Sequence, residues 1–371
     1  MSLTRTKNID YENLAKLNKP FNAAYKKKFA QILDAGWFIL GNEVKSFEKE
    51  FAQYTSSAQC VGVASGLDAI TISLLALGFE KGKEVLLPSN TYIATILSVL
   101  QAGLKPVLVE PDLATYNFSM ENAAAQINAN TVAIVVVHLY GKCCNMDNIM
   151  QLAKKHNLEV IEDCAQAHGA KFKEKQAGTF GKSGAFSFYP TKNLGALGDG
   201  GSINTDDEKF AIECRKLRNY GSAVKYYNEL VGVNSRLDEV QAGFLRIKLE
   251  KLDAINAHKR TLAEIYFKNL TEKVIKPVQH SDYFDVFHIF NIRTDRREAL
   301  RNYLMGKGVK TEIHYPVAPN KQIAMQPYLS NTVTPIAQLI HETTLSLPIS
   351  TVHSKSDVKY VCDVINSFFE L

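Results

Sequence analysis

Long apolar runs are missing from this chain. None approaches the length of about eighteen residues that a membrane span requires. The opening segment, MSLTRTKNIDYENL, lacks the apolar core of a secretory leader. Both absences lead us to expect a cytoplasmic protein with no membrane partner. Cysteine is sparse: six residues, at positions 60, 143, 144, 164, 214 and 362, form no CxxC pair and no dense framework. They are expected to be reduced core or loop thiols. Adjacent Cys143 and Cys144 follow His138, but neighbouring side chains on a strand point to opposite faces and rarely converge on one ion. No metal is therefore expected. A charge excess is missing too: the formal net charge of +5 is too mild to be the footprint of nucleic-acid binding. Internal repeats, low-complexity stretches and long linkers are also lacking.

What is present suffices for a folded enzyme-sized molecule. A chain of 371 residues accommodates one large domain and a smaller one. The hydrophobic fraction of 46% and charged fraction of 22% are ordinary for a packed globular chain. Phe21 to Gly36 reads as a helix, with Phe21, Ala24, Tyr25, Phe29, Ile32 and Leu33 at helical spacing and Gly36 as its stop. Lys26, Lys27 and Lys28 form its solvated face. A second helix follows near Glu43 to Tyr54. From Cys60 onward strands and helices alternate: VGVA, a turn at SGLDA, then a helix from Ile70 to Leu77. EVLLP is a strand, followed by a helix with Ile93, Ile96, Leu97 and Leu100 inward. Further strands are expected at Pro106–Val109, Val132–Val137 and Glu159–Ile161, and helices near Ser119–Ile127 and Met146–His156. This alternation predicts an α/β fold with a mostly parallel sheet covered on both faces. Its site should lie beyond the carboxyl ends of the strands.

Arg218 to Leu252 reads as a polar loop and then a long helix. From about Asn256 the alternation stops. Helices and isolated strands such as FHIFNIRT follow, and a last helix runs near Ser356–Phe369. We expect a large domain over 1–255 and a smaller C-terminal α+β domain over 256–371.

Asp163 and Lys192 focus the chemistry. Asp163 directly follows the apolar run Leu158, Val160 and Ile161. Lys192 sits in a loop after Ala185, Phe186 and Phe188. Their separation of 29 positions allows two neighbouring strand ends with a hairpin or crossover between. An acid and a lysine converging at strand ends suit pyridoxal phosphate (PLP). The lysine forms a Schiff base with the cofactor aldehyde, and the carboxylate keeps the pyridine nitrogen protonated so that the ring accepts electrons. Taken singly, the better reading of Asp163 and Lys192 is a buried ion pair and a surface lysine.

The joint pattern is far more specific. EDCAQAHGA and FSFYPTKNLGALGDGG resemble the DegT/DnrJ/EryC1/StrS sugar aminotransferases, and the likeness runs from GWFILGNEVKSFEKEFA at Gly36 to TEIHYPVAPNKQ ending at Gln322. The resemblance implies a homodimeric fold-type-I PLP transferase, like aspartate aminotransferase, with shared active sites. It is narrowest to members that aminate dTDP-3-keto-6-deoxyhexoses for deoxyamino sugar biosynthesis, as in O-antigen or S-layer glycans. The amino donor would be an amino acid, L-glutamate by expectation, and the other substrate a nucleotide-sugar whose anionic charge suits the mildly basic chain. Amination at C-4 and PLP-dependent sugar dehydration are alternatives. The dehydratases carry histidine in place of the lysine, so Lys192 argues against that reading. A catalytically silent PLP-binding regulator is a third reading, opposed by the complete constellation.

Residue by residue, the resemblance implies these roles. Gly66 and Leu67, in a turn that alone reads as an ordinary tight turn, would hold the PLP phosphate at a helix N-terminus. Tyr92, otherwise a packing residue, would stack on the ring. Gln166 would bond the 3′-oxygen and Ser187 the phosphate. Tyr189, His314 and Tyr315 would meet the sugar nucleotide. Asn234, equally a helix N-terminal turn residue, would complete the partner subunit's phosphate site, and Lys225 would reach the partner's sugar. His168 is as readily a core histidine. Thr191 and Asn320 depart from the pattern, where relatives carry glycine and histidine.

Overall fold

A computed structural model describes residues 7–370. Seven strands form its main sheet: β1 (Gln59–Val63), β2 (Glu84–Pro88), β3 (Lys105–Val109), β4 (Thr131–Val137), β5 (Glu159–Asp163), β6 (Ser183–Ser187) and β7 (Gly201–Thr205). Their order is β1-β7-β6-β5-β4-β2-β3. β7 runs antiparallel to both neighbours, and the other pairs are parallel. The continuous apolar run of β4 explains its central place, because a strand covered on both faces has no polar side to show. Its side chains divide by the strand period of two. Ile134 and Val136 enter one apolar cluster, with Phe47 and Phe51, while Ala133 and Val135 enter the cluster on the opposite face, with Ile70 and Val99.

β7 had no apolar signature in the sequence. Its polar residues are buried because tertiary partners satisfy them: Asn204 Nδ2 donates to Thr55 Oγ1 at 2.8 Å, and Ser202 Oγ donates to Asn204 Oδ1 at 3.0 Å. Several helices match the expected spans, among them Asn22–Ala35 with Gly36 as its left-handed stop, Asn42–Thr55, and Met146–His156. The helix expected from Ile70 begins earlier, at Gly66, because Ser65 caps it by accepting from the Asp68 N–H. The helix expected over 119–127 is confined to Met120–Ala124. The segment read as a loop before the long helix contains a small hairpin, Ser222–Val224 with Tyr227–Asn228. The helical run after it breaks into Glu239–Leu249 and Leu252–Asn269.

A further core gathers around the antiparallel pair Phe290–Arg293 and Thr344–Leu347, under helices Leu252–Asn269, Arg297–Gly306 and Lys355–Glu370. Ile9 joins it, pairing with Val309. Helix Leu252–Asn269 spans the expected boundary at 255/256. Leu252 packs in the sheet's core, and Leu262, Ala263 and Tyr266 pack in the other. Among the described residues, no helix is long and apolar enough to cross a membrane.

Candidate active site

β5 and β6 are parallel neighbours, with Asp163 opposite Ala185. The chain between them includes the hairpin Lys171–Phe172 and Lys175–Gln176. Asp163 therefore ends one strand beside the strand that leads to Lys192. Asp163 is buried; its Oδ2 accepts from Thr95 Oγ1 at 2.9 Å and its Oδ1 from the Ala165 N–H at 3.1 Å. Burial raises its carboxyl above the usual range, against those two hydrogen bonds and the charge of Lys192. Lys192 feels the converse: burial pulls its amine down to about 8, while Asp163's charge holds it up. The two groups thus share one poorly solvated place.

The loop after β6 is closed by its own main chain. Phe188 N–H donates to Gly200 O, Ala196 N–H to Phe188 O, and Lys192 N–H to Tyr189 O at 2.9 Å. Gly195 is required there: a Cβ would lie 2.4 Å from the Pro190 carbonyl oxygen.

The start of helix Gly66–Ala76 meets the end of β6. A Cβ on Gly66 would stand 2.6 Å from Ser187 Cβ. Gly66 and Leu67 are first-turn residues, whose N–H groups lack intrahelical acceptors. A helix N-terminus of this kind, with its dipole, suits an anion, and Ser187 stands beside it. These observations fit PLP: a buried carboxylate without a hydrogen-bonded cation, a lysine amine held down towards neutrality, and a glycine-backed helix N-terminus.

Gln166 lies between tyrosines. Its Oε1 accepts from Tyr140 N–H at 2.6 Å and its Nε2 donates to Tyr315 Oη at 2.9 Å. The rings of Tyr315 and Tyr92 are 5.1 Å apart at 35°. His314 Nδ1 is 2.9 Å from Ser346 Oγ, and its carbonyl accepts from Tyr140 Oη. Burial, then the charge of Lys192, pushes His314 down to about 4, so its imidazole is neutral at pH 7. Tyr189 and His314 line one cavity. His168 packs against the rings of Phe186 and Phe188 at 5.5 and 5.8 Å, and burial lowers it to about 3.

Two further expected residues, Asn234 and Lys225, are exposed. Ser235, next to Asn234, accepts from the Ala64 N–H at 3.0 Å and donates to Asp68 Oδ2 at 2.7 Å. Asn234 is exposed and bridges Asn219 through the main chain. Lys225 is exposed in the small hairpin's turn, its amine 4.9 Å from the Tyr226 ring centre. Asn320 is buried and donates to Thr332 O. The sequence reading passed over Thr95 and Tyr140, which hold Asp163 and Gln166. Their signal was faint, since Thr95 is one polar residue in an apolar helix and Tyr140 sits in a short turn.

All six cysteines are free and buried. The His138 ring groups with Glu162 and Cys164, and its Nδ1 accepts from the Cys144 N–H at 3.0 Å. Glu162 Oε1 accepts from the N–H groups of Phe180 and Gly181, and Oε2 from His138 Nε2 and the Gly178 N–H. With those oxygens engaged, the cluster clasps β5 to the following loop.

Residues 21–366 match the model of the DegT/DnrJ/EryC1/StrS aminotransferase family. A transaminase of Aneurinibacillus thermoaerophilus, dTDP-3-amino-3,6-dideoxy-alpha-D-galactopyranose transaminase, is 45% identical over 97% of this chain and 99% of its own. dTDP-3-amino-3,4,6-trideoxy-alpha-D-glucose transaminase of Streptomyces venezuelae is 39% identical over 100% of this chain and 98% of its own. Among solved structures, S. venezuelae DesV superposes with a TM-score of 0.96 at 39% identity, covering 99% of this chain and 100% of that one. Bacillus subtilis NtdA with bound PMP gives 0.93 at 26% identity, covering 100% and 87%.

Proposed function

The chain belongs to the DegT/DnrJ/EryC1/StrS aminotransferase family and is a PLP-dependent transaminase. From that premise we propose that it moves an amino group from L-glutamate to C-3 of a dTDP-linked 3-keto-6-deoxyhexose. The observation that carries this reading is the convergence of Asp163 and Lys192 at neighbouring strand ends. Full-length likeness to two transaminases named for dTDP-3-amino sugars supports the substrate.

When bound, PLP supplies an electron-accepting ring and a temporary carrier for the amino group. The chain's part is to hold, orient and move protons. Gly66, Leu67 and Ser187 would hold the phosphate, and Tyr92 would cover the ring. Gln166 would face the 3′-oxygen, and Asp163 would favour a proton on the ring nitrogen. Lys192 Nζ would be the covalent anchor and then, released, the base that takes a proton and returns it. An amine near pH 8 suits that task, because both protonation states are accessible at neutral pH. Neutral His314, with Tyr189 and Tyr315, would position the sugar.

The same proposal includes a cytoplasmic homodimer of two-domain subunits, divided near residue 255. Phe29, Leu33, Trp37, Phe38 and Ile39 are all exposed. Such a run of large apolar side chains suits a face covered by a second copy. Asn234 and Lys225 would then serve the partner's site. Incubation with a panel of nucleotide-linked 3-keto and 4-keto 6-deoxyhexoses tests the substrate. A 3-amino sugar is expected; a 4-amino or dehydrated product overturns the reading.

A further inference from the structure

Beyond the PLP-facing residues, Lys192 also forms part of the wall of a cavity of about 320 Å³, which Lys16, Lys248, Lys259 and Glu12 line with it. Lys248 and Lys259 are 1% and 5% exposed, so their stems are enclosed and their amines are fixed in place. Main-chain carbonyls meet both amines. Lys248 Nζ donates to Gly195 O at 2.8 Å, and Lys259 Nζ to His288 O at 3.1 Å and, more weakly, Phe287 O at 3.4 Å. Glu12 is the acid whose charge reaches both lysines. Its Oε1 is already engaged, accepting from Ser350 Oγ at 2.6 Å and Asn13 N–H at 2.9 Å.

Buried ammonium groups are costly unless a charge answers them. Once Lys192 is engaged in chemistry, Lys248 and Lys259 against Glu12 leave one enclosed positive charge uncompensated, and Lys16 adds an exposed one. Burial pulls Lys248 and Lys259 down to about 8, which still leaves both mainly protonated at pH 7. The cavity is thus built for an anion, of a size for a short carboxylic acid, and it opens at the residue that handles the amino group.

Resting on the transaminase reading, we propose that this cavity takes the side-chain carboxylate of a dicarboxylic amino donor, and so selects L-glutamate over uncharged amino acids. The recognition is by fixed ammonium groups rather than by an arginine fork. Lys259 and Lys248 supply the enclosed charges, and Lys16 supplies an exposed charge at the mouth.

L-Glutamate and L-glutamine differ at the side-chain terminus, so the ratio of their kcat/KM values reports this site. Wild-type enzyme loaded with PLP should prefer glutamate. Lys259→Gln should raise KM for glutamate tenfold or more and erase the preference. Because Lys259 also borders the cavity of Tyr189 and His314, an unchanged KM for the keto-sugar nucleotide is expected of Lys16→Gln, which lines the first cavity alone. Lys16→Gln, a substitution at an exposed position, should give a smaller shift in the same direction even if Lys259→Gln fails to fold. Equal use of both donors by the wild type, or an unchanged ratio in Lys16→Gln and in folded Lys259→Gln, overturns the proposal. A loss confined to the sugar nucleotide overturns it as well, because the anion would then be a diphosphate. Calorimetry with 2-oxoglutarate on the loaded protein separates this proposal from the transaminase reading. Weaker binding in the variants supports the cavity even if no sugar is aminated, and unchanged binding removes it.

Discussion

Asp163 and the half-buried Lys192 bring opposite charges into one poorly solvated place, and desolvation acts against both. The Lys192 amine, held down to about 8, should react accordingly. In cofactor-free protein, labelling of Lys192 by an amine-directed reagent should rise with a midpoint near pH 8, against about 10.4 for an ordinary lysine. Asp163's charge holds that value up, so Asp163→Asn should move the midpoint lower still. The same substitution should leave PLP bound but cut turnover more than tenfold, each factor of ten being about 1.4 kcal/mol of barrier. A midpoint near 10, or a shift upward in Asp163→Asn, would contradict the shared site. Asp163 was legible because it closes an apolar run, and Lys192 through the FSFYPTK pattern that follows another. Thr95 was not, because its hydroxyl matters through the fold that sets it 2.9 Å from Asp163.

At the scale of elements, the strand β6 and the helix Gly66–Ala76 make a site by close approach. Only a residue without a Cβ fits where that atom would stand 2.6 Å from Ser187 Cβ and 3.1 Å from its main-chain Cα. Gly66→Ala should therefore push the helix start away from the strand while leaving Lys192 and Asp163 in place. We expect PLP to bind about tenfold more weakly, or ~1.4 kcal/mol, with the Lys192 midpoint little changed. Titration of the apo protein with PLP, followed by absorbance, measures this. Undiminished affinity would place the phosphate elsewhere. The helix itself was visible in the sequence, but its first turn was not. SGLDA reads as a turn until the Ser65 side chain is seen to cap the Asp68 N–H.

At the scale of the molecule, the chain leaves Asn234 and Lys225 exposed. If they serve a second subunit, two inactive proteins should repair each other. Lys192→Ala mixed with the double variant Asn234→Ala, Lys225→Ala should regain activity after subunit exchange, because one site of each mixed dimer is then intact. A mixture that stays inactive while mixed dimers form would mean that each chain builds its own site.

The sequence alone determined the repeating order of strands and helices, because apolar periodicity follows directly from which faces must leave water. It also marked Asp163 and Lys192, through the joint pattern of EDCAQAHGA and FSFYPTKNLGALGDGG and its resemblance to a family. Tertiary structure decided what no local pattern encodes. The polar strand β7 is buried because Thr55, far away in the chain, answers Asn204. Helix Leu252–Asn269 runs through the expected domain boundary because its two ends pack in different cores. Lys16, Lys192, Lys248 and Lys259, each unremarkable where it stands in the chain, come to line one cavity. Those outcomes depend on long-range packing, and each position's neighbours in sequence are silent about it.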